Sequence, residues 1–141
     1  MTPTTLRTVI SIVFFFNGIG HVLGILPALG VSKMKNWSSH SWLLSERLGE
    51  STARIISLVL FASVVVCSIA AGLAINAWLV PHTAWRTLAI ISAVVSLVAL
   101  ALFWNAFPAL IPTKVGAIGQ DILVIICLIV TNWPTEADIG F

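Results

Sequence analysis

Four apolar stretches dominate the chain, at about residues 6–29, 52–79, 85–107 and 115–133, separated by polar or proline-containing breaks. Each is long enough to cross the roughly 30 Å hydrocarbon core of a bilayer as an α-helix. In lipid a helix satisfies its own backbone hydrogen bonds, so the expected fold is an all-α, integral membrane four-helix bundle forming one domain over residues 1–141. The rest of the composition leaves little else. Of 141 residues, 59% are hydrophobic and 9% charged, which excludes both an ordinary water-soluble domain and intrinsic disorder. Seven basic residues against five acidic ones give a net charge of +2, too weak a field to imply a nucleic-acid partner.

The first stretch has Arg7 ahead of an apolar run, as a secretory signal would. Its apolar character continues past Asn17 and His21 to Leu29, and no Ala-x-Ala cleavage site follows, so it reads as a span. Ser51 and Thr52 are expected N-caps for the second helix, and Pro81 its stop. Pro108 and Pro134 are expected to end the third and fourth. Trp78, Trp85, Trp104 and Trp133 sit near the expected helix ends, where indole prefers the headgroup level. Residues 30–51 form the one long polar connection. With Lys33, Lys35, Trp37, Trp42, Leu43, Leu44 and Leu48, it suits a short interfacial helix or a solvated loop with two aromatic anchors.

Basic residues bear on orientation. Lys33, Lys35, Arg47, Arg54 and Lys114 belong to the side of the first and third loops, and Arg7 and Arg86 to the other. The positive-inside rule places those loops in the cytoplasm, with Arg7 and the amino terminus opposing the bias.

Membrane helices associate through close packing of small residues and a few interhelical hydrogen bonds. Gly20 and Gly24 form a small-xxx-small face in the first helix. Ser63, Cys67, Ala71 and Ala74 make a stripe on the second, Ser92, Ser96 and Ala99 on the third, and Gly116, Gln120, Cys127 and Thr131 on the fourth. Such faces pack helices within one chain or between two copies, so a homo-oligomer stays open.

The residues costliest to place in hydrocarbon carry the functional expectation. Asn17 and His21, four apart, share a helix face. His21 lies roughly 12 Å, and Asp121 roughly 9 Å, inside their helices from loops on the same side of the membrane, so both are expected at similar depth. Arg54, Trp104, Asn105 and Gln120 are expected near that level. Asp121 should therefore face the interior and find a partner in His21 or Arg54. The cluster could lock helix register, hold a ligand head group, or relay a proton through the imidazole. In the ligand reading Asp121 holds His21 in one tautomer, Asn17 and Asn105 offer hydrogen bonds, and Trp104 borders the mouth. A single deep histidine excludes bis-His haem within one chain, leaving a five-coordinate haem or a pigment as the metal alternative. Cys67 and Cys127 lie at similar depths, but buried thiols in hydrocarbon usually behave as small hydrophobes. No Cys-x-x-Cys, phosphate loop, dinucleotide fingerprint, metalloprotease His pair or nucleophile elbow is present, and neither catalytic residues nor a metal site are assigned.

Several short motifs resemble the DoxX-like group of small four-helix membrane proteins. They are Leu6-Arg7 followed by Phe16-Asn17-Gly18-Ile19-Gly20-His21, Ala53-Arg54-Ile55-Ile56 leading to Ala71-Gly72-Leu73, Leu102-Phe103-Trp104-Asn105 with Pro108, and Ile118-Gly119-Gln120-Asp121 through Trp133-Pro134. The resemblance implies a bundle in a prokaryotic inner membrane, often a partner subunit in redox, quinone or thiol-stress systems. The resulting expectation is a protein that binds a quinone or lipid at Asn17, His21, Arg54, Trp104, Asn105, Gln120 and Asp121. The alternatives are a non-catalytic accessory subunit of a larger membrane complex, an energy-transducing complex among the candidates, and a small oxidoreductase or isomerase.

Overall fold

The computed structural model describes residues 1–31 and 36–141. It is an all-helical bundle with four helices long and apolar enough to cross a membrane: Pro3–Ala28, Glu50–Ala74, His82–Leu102 and Ile111–Val130. Helix α1 (Pro3–Ala28) starts where the Thr2 side chain accepts from the Thr5 backbone N–H and Pro3 fills the first turn, whose N–H groups lack helical partners. A one-turn helix α2 (Leu44–Leu48) precedes α3 (Glu50–Ala74), and α4 (Trp85–Leu102) follows a short turn at His82–Ala84. The last span is α5 (Val115–Ile125), preceded by a kink at Ile111 and continued by a widened turn, Ile126–Val130. A terminal turn, α6 (Glu136–Ile139), folds back against α1.

Several expected boundaries move. Helix α3 is preceded by Gly49, not capped by Ser51 or Thr52. Gly49 adopts φ +83°, a left-handed value open to glycine, and so lets α2 turn directly into α3. The other end of α3 stops at Ala74, ahead of Pro81, and the chain reverses through left-handed Ala77 and Leu79. Helix α4 ends at Leu102, before Pro108, because Phe103 leaves helical geometry and turns inward. Phe103 and Phe107 are both buried. Trp78, Trp104 and Trp133 are exposed, as headgroup-level indoles should be, but Trp85 is 1% exposed and belongs to the core.

The connection after α1 is a loop ending in the single turn of α2. Two indoles pin it across the end of the bundle: Trp37 Nε1 donates to the Ala106 carbonyl at 2.8 Å, and Trp42 Nε1 to the Ala101 carbonyl at 2.8 Å. Lys33 and Lys35, on which the orientation expectation partly rests, lie outside the described residues.

Each span packs chiefly on its chain neighbour, α1 on α3, α3 on α4 and α4 on α5. Two apolar clusters fill the interior. One, nearer the chain termini, contains Phe14, Ala71, Ile75, Trp85, Ala89 and Leu128. The other, nearer the long loop, contains Ala53, Phe61, Ala99, Leu100, Phe103 and Phe107. Close helix approach occurs partly where the small residues predicted it. A Cβ on Gly24 would lie 2.7 Å from the Phe61 ring, whereas one on Gly20 would meet nothing within 4 Å. On α3 the buried small residues are Ala53, Ser57, Ser68, Ala71, Gly72 and Ala74, so Ala71 and Ala74 lie on the packed face as expected while Ser63 and Cys67 are displaced from it. Ser92, Ser96 and Ala99 are buried on α4 as expected. On the last span Asp121 and Leu128 face inward, while Gly116 and Thr131 are exposed.

Candidate functional site

Between the two apolar clusters lies a belt of buried polar side chains: Asn17 and His21 on α1, Ser68 on α3, Ser92 and Ser96 on α4, and Asp121 on α5. A buried polar group is stable only when hydrogen-bonded, and these are connected in two chains. In the first, Asn17 Nδ2 donates to Ser68 Oγ at 3.0 Å, Ser68 and Ser92 hydroxyls meet at 2.6 Å, and Ser92 Oγ donates to the Val64 carbonyl at 3.4 Å. In the second, His21 Nδ1 lies 2.8 Å from the Asn17 carbonyl oxygen, His21 Nε2 lies 2.7 Å from Ser96 Oγ, and Ser96 Oγ lies 2.5 Å from Asp121 Oδ2. Three helices are joined by this second chain. The His21 imidazole packs against the Phe107 ring edge-on at 5.5 Å and the Phe61 ring at 6.3 Å.

His21 and Asp121 are therefore brought together at one depth, through Ser96. Asp121 does not pair with Arg54, and the group that fixes His21 Nδ1 is the Asn17 backbone carbonyl, not the Asp121 carboxylate. Arg54 is exposed, and its Nε donates to the Ala28 carbonyl at the C-terminal end of α1, where a cation meets unpaired helix carbonyls favourably. Trp104 and Asn105 are also outside the belt. Both are exposed and border a separate surface groove of about 410 Å³ with His40, Trp42 and Ala101. The Lys114 ammonium sits 4.8 Å over the Trp104 ring, and the Asn105 carbonyl accepts from the Ser38 N–H at 2.9 Å. The break at Phe103 explains this placement, since it carries residues 104 and 105 off the helix and onto the end of the bundle.

The belt opens on the surface of the bundle. A cleft of about 430 Å³ lies between α1 and the first half of the last span, with Asn17, His21 and Gln120 among its lining residues. Phe16, Leu23, Phe107 and Ala117 supply apolar walls. Gly20 and Gly116 also line the cleft, and a Cβ on either would meet nothing within 4 Å. Gln120 spans the gap toward α1, its Nε2 donating to the Val13 carbonyl at 3.4 Å. Beyond that bridge a second, wholly apolar groove of about 280 Å³ continues between Leu6, Ile10, Val13 and Leu123, Cys127, Trp133.

The sequence positions of Asn17, His21, Gln120 and Asp121 point to one level, and the structure gathers these residues there, whereas Ser96 reads in the sequence as a packing residue. Ser92 and Ser96, four apart on a single face of α4, were the available signal for hydroxyls aimed at that level. Phe61 and Phe107, which hold the imidazole, carried no distinguishing pattern. Among the described residues no group of three His, Cys, Asp or Glu side chains is arranged to hold a metal ion, and Cys67 and Cys127 are free thiols. No family profile, curated protein or solved structure matches this chain.

Proposed function

We propose that this membrane protein binds a lipophilic molecule with an oxygen-bearing head group, of the quinone or lipid class, in the cleft between α1 and the last span. The observation that carries the reading is the cleft itself: about 430 Å³, with Asn17, His21 and Gln120 set among apolar walls. Ligand sites commonly have this size and this pattern of a few polar groups in an apolar lining. A head-group carbonyl would accept from the Gln120 amide, whose 3.4 Å bond to Val13 is long, and a head-group hydroxyl would donate to Asn17 Oδ1. The neighbouring apolar groove suits the tail of the same molecule. Membership of the DoxX-like group, proposed on the helix motifs, would place the protein in a prokaryotic inner membrane in a redox-related setting.

Filling the cleft is the test. Gly20→Leu places a side chain into open space, and leucine favours a helix over glycine by up to about 1 kcal/mol. The variant should fold as the wild type does. Native mass spectrometry of both proteins, titrated with a short-chain quinone and with a phospholipid, should show a one-to-one complex with one of these probes for wild type only. Equal binding by both proteins, or binding by neither, would refute the reading.

A further inference from the structure

The two hydrogen-bond chains of the polar belt end differently, and counting their protons shows why this matters. The first ends on a backbone carbonyl: each donor has one acceptor, and the chain runs from the Asn17 amide to Val64 without choice. The second begins on a carbonyl. The Asn17 oxygen only accepts, so His21 Nδ1 carries a proton in every arrangement that keeps the 2.8 Å contact. Two contacts then remain, His21 Nε2 to Ser96 Oγ at 2.7 Å and Ser96 Oγ to Asp121 Oδ2 at 2.5 Å. Ser96 has one hydroxyl proton and can fill only one of them. The other contact needs a further proton, because two facing lone pairs at such distances repel.

That further proton has two places to reside. On Asp121 Oδ2, the carboxyl O–H donates to Ser96 and the Ser96 O–H donates to His21 Nε2. On His21 Nε2, the imidazolium N–H donates to Ser96 and the Ser96 O–H donates to the Asp121 carboxylate. We propose that Ser96 is a relay hydroxyl through which Asp121 and His21 share one proton, so that the imidazole in the wall of the cleft can switch between neutral and positively charged. In the forward step the Asp121 proton passes to Ser96 Oγ as the Ser96 proton passes to His21 Nε2. A neutral acid and imidazole become a carboxylate and an imidazolium, and the reverse step restores them with no other reactant.

The resting arrangement follows from the remaining carboxyl oxygen. Asp121 is fully buried, and its Oδ1 has no hydrogen-bond partner among the described residues. Left unpaired, a neutral carbonyl oxygen is far less unfavourable in an apolar interior than a carboxylate oxygen. The proton therefore rests on Asp121. It moves to His21 when an oxygen head group developing negative charge lies against the imidazole, which narrows the ligand class to head groups that carry or develop negative charge at oxygen. That last step rests on the ligand reading above; the sharing of the proton does not.

The test is nitrogen NMR of the full chain, ¹⁵N-labelled at histidine, in detergent, with the His21 signals assigned by their loss in His21→Gln. Wild type is expected to show a neutral ring protonated at Nδ1, with Nε2 accepting a hydrogen bond. Ser96→Ala should lose the Nε2 hydrogen-bond shift and Ser96→Thr should restore it. Asp121→Asn should keep the wild-type signature, because its amide N–H donates to Ser96 as the protonated acid does. Infrared spectra provide a second readout that does not depend on the serine variants folding: wild type should carry a protonated-carboxyl band that Asp121→Asn removes. A ring protonated only at Nε2, a His21 signature unmoved in Ser96→Ala, or no carboxyl band in wild type would each overturn the proposal. Gly20→Leu should leave all of these signals in place, so a failure of the ligand reading and a failure of the relay are told apart.

Discussion

At the scale of single residues, the four-residue spacing of the two glycines on α1 conceals different surroundings. Gly24 lies under the Phe61 ring, which in turn packs 5.6 Å from Phe107 and 6.3 Å from His21, while Gly20 opens on the cleft. Gly24→Ala should push the fully buried Phe61 toward the imidazole and cost about 1–3 kcal/mol, the usual penalty of overpacking. Gly20→Ala should be neutral or slightly stabilising. Thermal unfolding of the two variants in one detergent checks this, and equal melting temperatures would contradict it. The spacing could not separate the two positions, since both fit a small-xxx-small pattern. His21 and Asp121 were more legible: an ionisable residue within an apolar span has few tolerable environments, and their distances from the helix ends already put them at one depth. Ser96 was not legible as the link, because small hydroxyls on membrane helices serve packing and hydrogen bonding alike.

At the scale of elements, hydropathy located all four spans but misjudged their ends. Apolar composition marks what avoids water and does not distinguish residues facing lipid from residues folded into the bundle. Trp85 reads as a headgroup-level indole and Phe103 as part of the third span, yet both are buried within the protein. Reversals at Ala77 and Leu79 were equally hidden, since alanine and leucine carry no turn signal. The terminal turn α6 lies outside the spans and is held by local polar chemistry. Thr135 and Asp138 cap it reciprocally: the Thr135 N–H and hydroxyl both donate to Asp138 Oδ2 at 2.8 Å. These bonds hold the Asp138 carboxyl below its ordinary range. A carboxyl lowered in the folded state adds stability that is fully present above the ordinary carboxylate value of about 3.9 and is lost as pH falls through the lowered one. Protection of the Thr135 amide in hydrogen exchange should therefore hold at neutral pH and fade only in strong acid. Asp138→Ala should abolish it at every pH, and protection surviving in that variant would contradict the assignment.

At the scale of the whole molecule, the proposed binding function rests on an incomplete closure of the bundle. Sequential packing joins α1 to α3, α3 to α4 and α4 to α5, and leaves the seam between α1 and the last span to hold both grooves. The fold class and the polar level were readable from span length and from the few residues that hydrocarbon tolerates poorly. The seam was not, because it depends on which flanks of α1 and α5 stay unpacked, and both flanks are apolar. Nearness in depth alone points Arg54, Trp104 and Asn105 to the polar level. They instead secure the loop end of the bundle, where Arg54 binds the end of α1 and Lys114 stacks on Trp104. The central claim is that a lipophilic oxygen-bearing molecule occupies the cleft. Photo-crosslinking with a diazirine-bearing quinone, followed by peptide mapping, tests it most directly. The account predicts adducts concentrated on residues 16–23 and 112–120, with those adducts lost in Gly20→Leu; adducts spread over the outer faces of α3 and α4, or unchanged in the variant, would contradict it.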